Sequence, residues 1–302
     1  MNENVIIKIE NLTKDFGDSK GVFDINLEIK RGEMVGFVGT NGSGKSTMIR
    51  CVVGFIKPNH GSCYVLGKES WGHSASFFRN IGYVPGEISF PDLQTGTIFL
   101  KNQAEFLNLN DLEYANKLIK ILQLDPGANL KRMSKGMKQK TALVAALMHN
   151  PDILILDEPT TGLDPLMRIN FMNVIKEEHK KGKTILMSSQ SFEELEETCD
   201  KVVFLLDGKV VSIADINDIK NRDKQEFKIE FTNEHDYNLF KKSSYYIIRD
   251  QPIYNQVTVS ITKGGINKLM SDLKQYNLKF ISEIKYTLET HFKRVTDIME
   301  VN

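Results

Sequence analysis

The chain has 302 residues, room for two domains, and its 41% hydrophobic and 26% charged residues are the balance of an ordinary globular core. Lysine plus arginine and aspartate plus glutamate both number 39, so the formal charge is zero, which argues against a dedicated nucleic-acid binder with its basic surplus. The three cysteines, Cys51, Cys63 and Cys199, have no metal-ligand spacing and read as reduced, buried thiols, and no apolar run approaches the ~18 residues of a membrane span.

In chain order, the opening Met1-Asn2-Glu3-Asn4 lacks the charged-then-apolar layout of a signal peptide. Residues to about 32 are predicted as a pair of strands, because Val22, Phe23, Ile25, Leu27 and Ile29 nearly alternate as one buried sheet face would. Residues 34–38 form a continuous apolar run, the pattern of a central parallel strand. Similar runs at 153–156, 184–187 and 202–206, with helical patterns between them, predict an α/β core on a parallel sheet. Between about Gly86 and Asn150 the strand signal disappears. A helix is expected over 95–107, and Leu112, Ala115, Leu118, Ile119 and Leu122 recur at helical spacing, so a helical subdomain inserted at about 87–150 is predicted. Asp207-Gly208 between two apolar runs signals a two-residue hairpin. The first domain is therefore expected to span 1–218. From 219 to 302 the sequence turns polar and rich in lysine and asparagine, with alternating runs at 226–231, 246–248, 257–261 and 279–285. Ile266, Leu269, Met270 and Leu273 recur at helical spacing among them. The expected order, strand, helix, strand, strand, helix, strand, suits a small α+β domain of ferredoxin-like type. A last helix over 288–299 is expected to pack through Leu288, Phe292, Val295 and Met299.

Directly behind the first apolar run stands Gly39-Thr40-Asn41-Gly42-Ser43-Gly44-Lys45-Ser46-Thr47, a full match to the phosphate-binding pattern G-x-x-x-x-G-K-[ST] in its strand–loop–helix context. The glycines free the backbone to curl, so successive N–H groups can converge on phosphate oxygens, and the helix beyond them adds the positive end of its dipole. Lys45 supplies a point charge for the outer phosphates, and the Ser46 hydroxyl is placed to ligate Mg²⁺. A nucleoside triphosphate is the expected ligand. A second motif, Ile153-Leu154-Ile155-Leu156-Asp157-Glu158, is an apolar strand ending in two carboxylates. Beside a phosphate loop such a strand end assigns Asp157 to the Mg²⁺ shell and leaves Glu158 free to polarise the attacking water.

Leu130 to Gln139, with Ser134-Lys135-Gly136 at its centre, resembles the signature sequence of ABC ATPases, and Gly162-Leu163-Asp164-Pro165 resembles that family's D-loop. Together with the two phosphate-site motifs, the resemblance covers about residues 5–213. It implies ATP and Mg²⁺ as ligands, with Ser134 and Gly136 at a helix start aimed at the γ-phosphate bound by a second ATPase subunit, either an identical copy or a paralogue. It also implies that Phe16 stacks on adenine. A separate transmembrane permease is the implied partner, with a cytoplasmic helix docking between the α/β core and the helical subdomain, near 87–99. On this reading the chain sits peripherally on the cytoplasmic face of the membrane, and no nucleic-acid partner is expected. The run Lys135 to Lys140, the Gly86-Glu87 pair, the C-terminal extension and the ending Tyr286 to Phe292 resemble bacterial exporters of drugs, peptides or lipids.

Two positions depart from the family pattern. Glu87 stands where a glutamine is usual, and as a carboxylate it offers an acceptor to Mg²⁺ or water but no donor. Gln190, in Ser188-Ser189-Gln190-Ser191, stands where a histidine normally contacts the γ-phosphate. Its amide donates a hydrogen bond but carries no charge and shuttles no proton, so slower hydrolysis is expected. None of the six histidines lies in an equivalent local pattern. Two alternatives stay open: a soluble ABC ATPase of DNA repair, translation or cluster assembly, and an ATP-gated clamp in which Gln190 disables hydrolysis.

Overall fold

The computed structural model describes residues 4–72 and 79–301, and the chain divides into two compact units, one ending at Asp215 and one starting at Ile216. His73 and the side chain of Met299 lie outside the described part.

In the first unit, β1 (Val5–Asp15) and β2 (Gly21–Lys30) pair antiparallel with Ile9 opposite Leu27 and Leu12 opposite Ile25. β3 (Met34–Val38) is buried at every position and leads through the phosphate loop into α1 (Lys45–Val52). β4 (His60–Val65) and β5 (Lys68–Glu69) then extend the first sheet on the other side of β1, in the order β2-β1-β4-β5. The sequence pattern gives little warning of β4, because only Cys63 and Val65 of its residues are fully buried. Backbone pairing with Ile9 and Ile7 of β1 defines it instead.

β6 (Ile81–Val84) precedes the strand-free stretch, which holds α2 (Gly96–Phe106), α3 (Glu113–Ile121) and α4 (Lys135–Leu147). Thr95 caps α2 by accepting the Ile98 N–H, and Ser134 caps α4 by accepting the Met137 N–H, so both helix starts are set by side chains that satisfy orphan donors. The remaining elements are β7 (Ile153–Asp157), α5 (Pro165–Lys180), β8 (Thr184–Ser188), α6 (Phe192–Thr198), β9 (Lys201–Leu206) and β10 (Lys209–Asp215). Asp164 caps α5, with Pro165 at the first helical position. The second sheet runs β10-β9-β3-β8-β7-β6, parallel except for β10. β10 returns through Asp207-Gly208, both at positive φ as a type I′ hairpin requires. The two sheets enclose α1: Met48, Ile49 and Val52 pack in one core with Ile7, Ile25 and Ile29 of the first sheet and Phe37, Ile155 and Leu186 of the second.

The strand order gathers three motifs that are far apart in the chain. β3, β8 and β7 are neighbours, so their carboxyl ends bring the loop before Lys45, the segment Ser188 to Gln190 and the pair Asp157-Glu158 to one edge of the sheet.

The second unit begins with α7 (Ile216–Lys220). It continues through β11 (Lys224–Phe231), α8 (Glu234–Phe240), β12 (Tyr246–Gln251), β13 (Gln256–Thr262), α9 (Ile266–Leu273) and β14 (Leu278–Ile284) to α10 (Leu288–Val301). The sheet is antiparallel, in the order β12-β13-β11-β14, the arrangement of a split βαβ unit. Its own core gathers Ile229, Phe231, Phe240, Val257, Val259 and Leu269. α8 is short and weakly periodic in sequence; Asn233 starts it by accepting the Asp236 N–H at 2.8 Å.

Candidate nucleotide site

The phosphate loop is shaped by steric exclusion. A methyl group on Gly39 would lie 2.2 Å from the Leu205 carbonyl oxygen, and Gly44, which precedes α1, holds φ at +101°. Lys45 folds back along the loop, and its Nζ donates to the carbonyls of Gly39 at 2.8 Å and Thr40 at 3.1 Å. Burial lowers its pKa, against the pull of Glu158 and Asp157. The cleft in front of it is lined by Phe16, Lys20, Gly21, Glu158 and the loop from Asn41 to Thr47, which includes Gly42, Ser43 and Ser46. Phe16 is 57% exposed at the cleft wall with Lys14 Nζ 5.2 Å from its ring centre, so it is a surface aromatic and no part of the core.

Next to Glu158, Asp157 is fully buried at the end of β7 and does not itself line the cleft. Its Oδ1 accepts a 2.6 Å hydrogen bond from Ser188 Oγ, while Oδ2 is buried with no partner. The same Ser188 hydroxyl accepts the Glu158 N–H at 2.9 Å. Glu158 sits at φ +48°, a left-handed turn that a non-glycine residue adopts only when its surroundings enforce it. That turn sends its side chain to the cleft, where Gln190 Nε2 lies 2.8 Å from both carboxylate oxygens and Thr161 Oγ1 donates to Oε2 at 3.2 Å. Sequence reasoning passed over Ser188 and Thr161. The signal for Ser188 was a hydroxyl closing an otherwise apolar run at a sheet neighbour of the acidic strand; Thr161 had none beyond its nearness to Glu158.

Other predicted residues fall outside this cleft. Gly86 passes close to the unpartnered oxygen, since a methyl group there would lie 2.8 Å from Asp157 Oδ2, but Glu87 is exposed and does not line the cleft. Ser134, exposed at the start of α4, and Gly136 in its first turn do not line it either. Among the described residues no histidine lines it. Next to β6 a separate apolar groove is lined by Ile81, Tyr83, Phe90, Phe99, Phe106 and Ala146, with the Phe90 and Phe99 rings 4.8 Å apart. His149 also lines it, its pKa lowered by burial.

A phosphate loop, an acidic strand end and a serine-capped helix outside the cleft, on a parallel sheet flanked by an antiparallel one, define an ATP-binding cassette. Comparison with known proteins gives the same class. The family model described as "ABC transporter" matches residues 22–161. The bacitracin transport ATP-binding protein BcrA of Bacillus licheniformis is 29% identical over 277 residues, which are 88% of this chain and 89% of that one. An uncharacterized ABC transporter ATP-binding protein of Methanocaldococcus jannaschii is 36% identical over 218 residues, 70% of this chain and 79% of that one. A solved ATP-binding subunit of an ABC transporter superposes with a TM-score of 0.64 at 29% identity, over 71% of this chain and 92% of that chain. The chain belongs to the family of ABC transporter ATP-binding proteins.

Proposed function

We propose that this protein binds and hydrolyses ATP as the motor subunit of an exporter, working on a separate transmembrane subunit from the cytoplasmic face of the membrane. The near full-length similarity to a bacitracin transport protein supports an exporter of drug, peptide or lipid type. No helix among the described residues is long and apolar enough to cross a membrane, and the aromatic groove beside β6 suits an amphipathic helix from a partner that does.

In this reading Phe16 stacks on the adenine, the backbone N–H groups of the loop from Gly39 to Gly44 and the Lys45 ammonium hold the phosphates, and Thr47 extends the cradle into the first turn of α1. The donor set fits Mg²⁺: the Ser46 hydroxyl and the unpartnered Asp157 Oδ2 are the hard oxygens that ion prefers. Bound there, Mg²⁺ would offset the charge of the phosphates. Glu158, held by Gln190 and Thr161, accepts the proton of the attacking water. Gln190 supplies a hydrogen bond without charge, so turnover is slow.

One observation carries the proposal: the cleft holds the phosphate loop and Glu158 but not Ser134 or Gly136 of the same chain. Each copy therefore has half a site, and ATP is sealed when a second copy or a paralogue brings its serine-capped helix. The test is equilibrium nucleotide binding and sedimentation. Lys45→Ala is expected to lose ATP affinity, and Glu158→Gln to form an ATP-dependent dimer that does not turn over. Full ATP affinity in Lys45→Ala, or co-purification with ribosomes or DNA in place of a membrane protein, overturns the reading.

A further inference from the structure

The segment carrying Glu158 and the segment carrying Gln190 are joined by a buried carboxylate that does not line the nucleotide cleft. Glu194, in the first turn of α6, is 7% exposed. Its Oε2 accepts hydrogen bonds from Ser189 Oγ at 2.7 Å and from Thr160 Oγ1 at 3.0 Å, and Arg168 Nε of α5 lies 3.3 Å from Oε1. Ser189 immediately precedes Gln190, and Thr160 comes two residues after Glu158. Each hydroxyl has one proton to donate and spends it on Glu194, which fixes both loops to a common point. Ser189 Oγ keeps a lone pair for the Ser191 N–H, 3.0 Å away, so the turn leading into α6 is held by the same group.

Burying a carboxylate costs stability, and the two hydroxyl donors with the nearby Arg168 act against that cost. The location is what the carboxylate serves. We propose that Glu194 is a positioning residue for hydrolysis: through Ser189 and Thr160 it keeps Gln190 in register with Glu158, so that the amide meets both carboxylate oxygens at the cleft. It does not line the cleft, and it acts only through those two neighbours. The inference rests on the reading of Glu158 as the base.

The experiment measures ATP turnover, KM and equilibrium ATP affinity for full-length Glu194→Ala and Glu194→Gln, each alone and in a Gln190→Ala background. Glu194→Ala is expected to lower kcat roughly ten- to hundredfold, the range that small misplacement of a catalytic group costs. KM and affinity should stay within about twofold, because an interaction needed only for the chemical step is being removed. Glu194→Gln retains an acceptor oxygen for the hydroxyls and should recover most of the rate. In the Gln190→Ala background Glu194→Ala should add little, since the group it positions is gone; a purely structural role would multiply the two losses. Wild-type kcat in Glu194→Ala, parallel loss of affinity and kcat, or multiplied losses overturns the proposal. Should Glu194→Ala fail to fold, Ser189→Ala and Thr160→Val remove the two donors singly; several-fold lower kcat in each is expected, and wild-type kcat in both overturns it. Glu158→Gln separates the two levels. If it turns over ATP like wild type, the functional reading falls; if it is dead while Glu194→Ala is normal, only this inference falls.

Discussion

At the scale of single residues the site is built by hydroxyls and an amide around two carboxylates. Gln190 makes its contact with Glu158: Nε2 lies 2.8 Å from both oxygens. An amide can hold the Glu158 carboxylate but does not titrate. Gln190→His is therefore expected to raise ATP turnover on the order of tenfold, a modest share of what a titrating acid–base group contributes. It should also introduce an inflection in the pH–rate profile near the ordinary histidine pKa of about 6.5, absent from the wild type. Steady-state ATPase assays between pH 5.5 and 8.5 read both effects, and equal turnover with a flat difference profile counts against the assignment. The residues of this site were legible in the sequence wherever a backbone requirement forced the residue type, as at Gly39, Gly44 and Lys45. They were illegible where the role depends on a contact across strands. Ser188 is in reach of Asp157 because β7 and β8 pair with Asp157 opposite Ser188, a register no local pattern encodes. Glu87, expected to serve the metal from its position after β6, is exposed, and it is Gly86 that passes close to Asp157.

At the scale of elements, periodicity named the buried strands and amphipathic helices because each has one dominant environment. β3, β7 and β8 are buried at every position, and α3 buries Ala115 and Leu118 on one side. β4 and α8 lacked such a signal, because pairing partners and a capping side chain decide them. The serine at the start of α4 caps its helix, and that role is separable from the seal proposed for it. Its hydroxyl accepts the Met137 N–H at 3.2 Å, so Ser134→Ala should destabilise the first unit by about 1 kcal/mol, the usual worth of an N-cap. Since Ser134 does not line its own cleft, ATP affinity of the monomer should be unchanged. ATP-driven association of Glu158→Gln should instead be lost when Ser134→Ala is added, because the proposed seal of a partner's phosphate needs the first N–H groups of α4 held in place. Urea unfolding, monomer binding and sedimentation report the three quantities separately. Loss of monomer affinity would place Ser134 in the wrong half of the site.

At the scale of the whole molecule, stability should carry a pH signature from one half-buried junction. His179, in the last turn of α5, has Nε2 3.0 Å from the Gly32 carbonyl and 3.0 Å from Asp200 Oδ2, which also accepts the Met34 N–H at 2.8 Å. The cluster ties α5, the β2–β3 turn and the start of β9 together. Hydrogen bonding to Asp200 raises the His179 pKa against the opposing effect of burial. For Asp200 burial acts to raise the pKa, but the bonds from His179 and the Met34 N–H outweigh it and the pKa is lowered. Linkage sets the signs. A raised histidine stabilises the fold fully below its unfolded value of about 6.5, and that contribution fades as pH rises through the higher folded value. A lowered aspartate contributes above its unfolded value of about 3.9 and loses that contribution only as pH falls through its folded value. Both contributions are present together between about pH 4 and 6.5, and the histidine share is the one lost toward alkaline pH. Trp71, the chain's single tryptophan, lies in the first unit, so its fluorescence reports the unfolding of the body that contains this cluster. Urea titrations of the wild type should show unfolding free energy declining from pH 5.5 to pH 8.5. Parallel titrations of His179→Gln, which keeps a donor but does not titrate, should show a shallower decline. Identical slopes would mean that the imidazolium at this junction does not couple to folding, and the pH dependence would then have to come from groups elsewhere in the first unit.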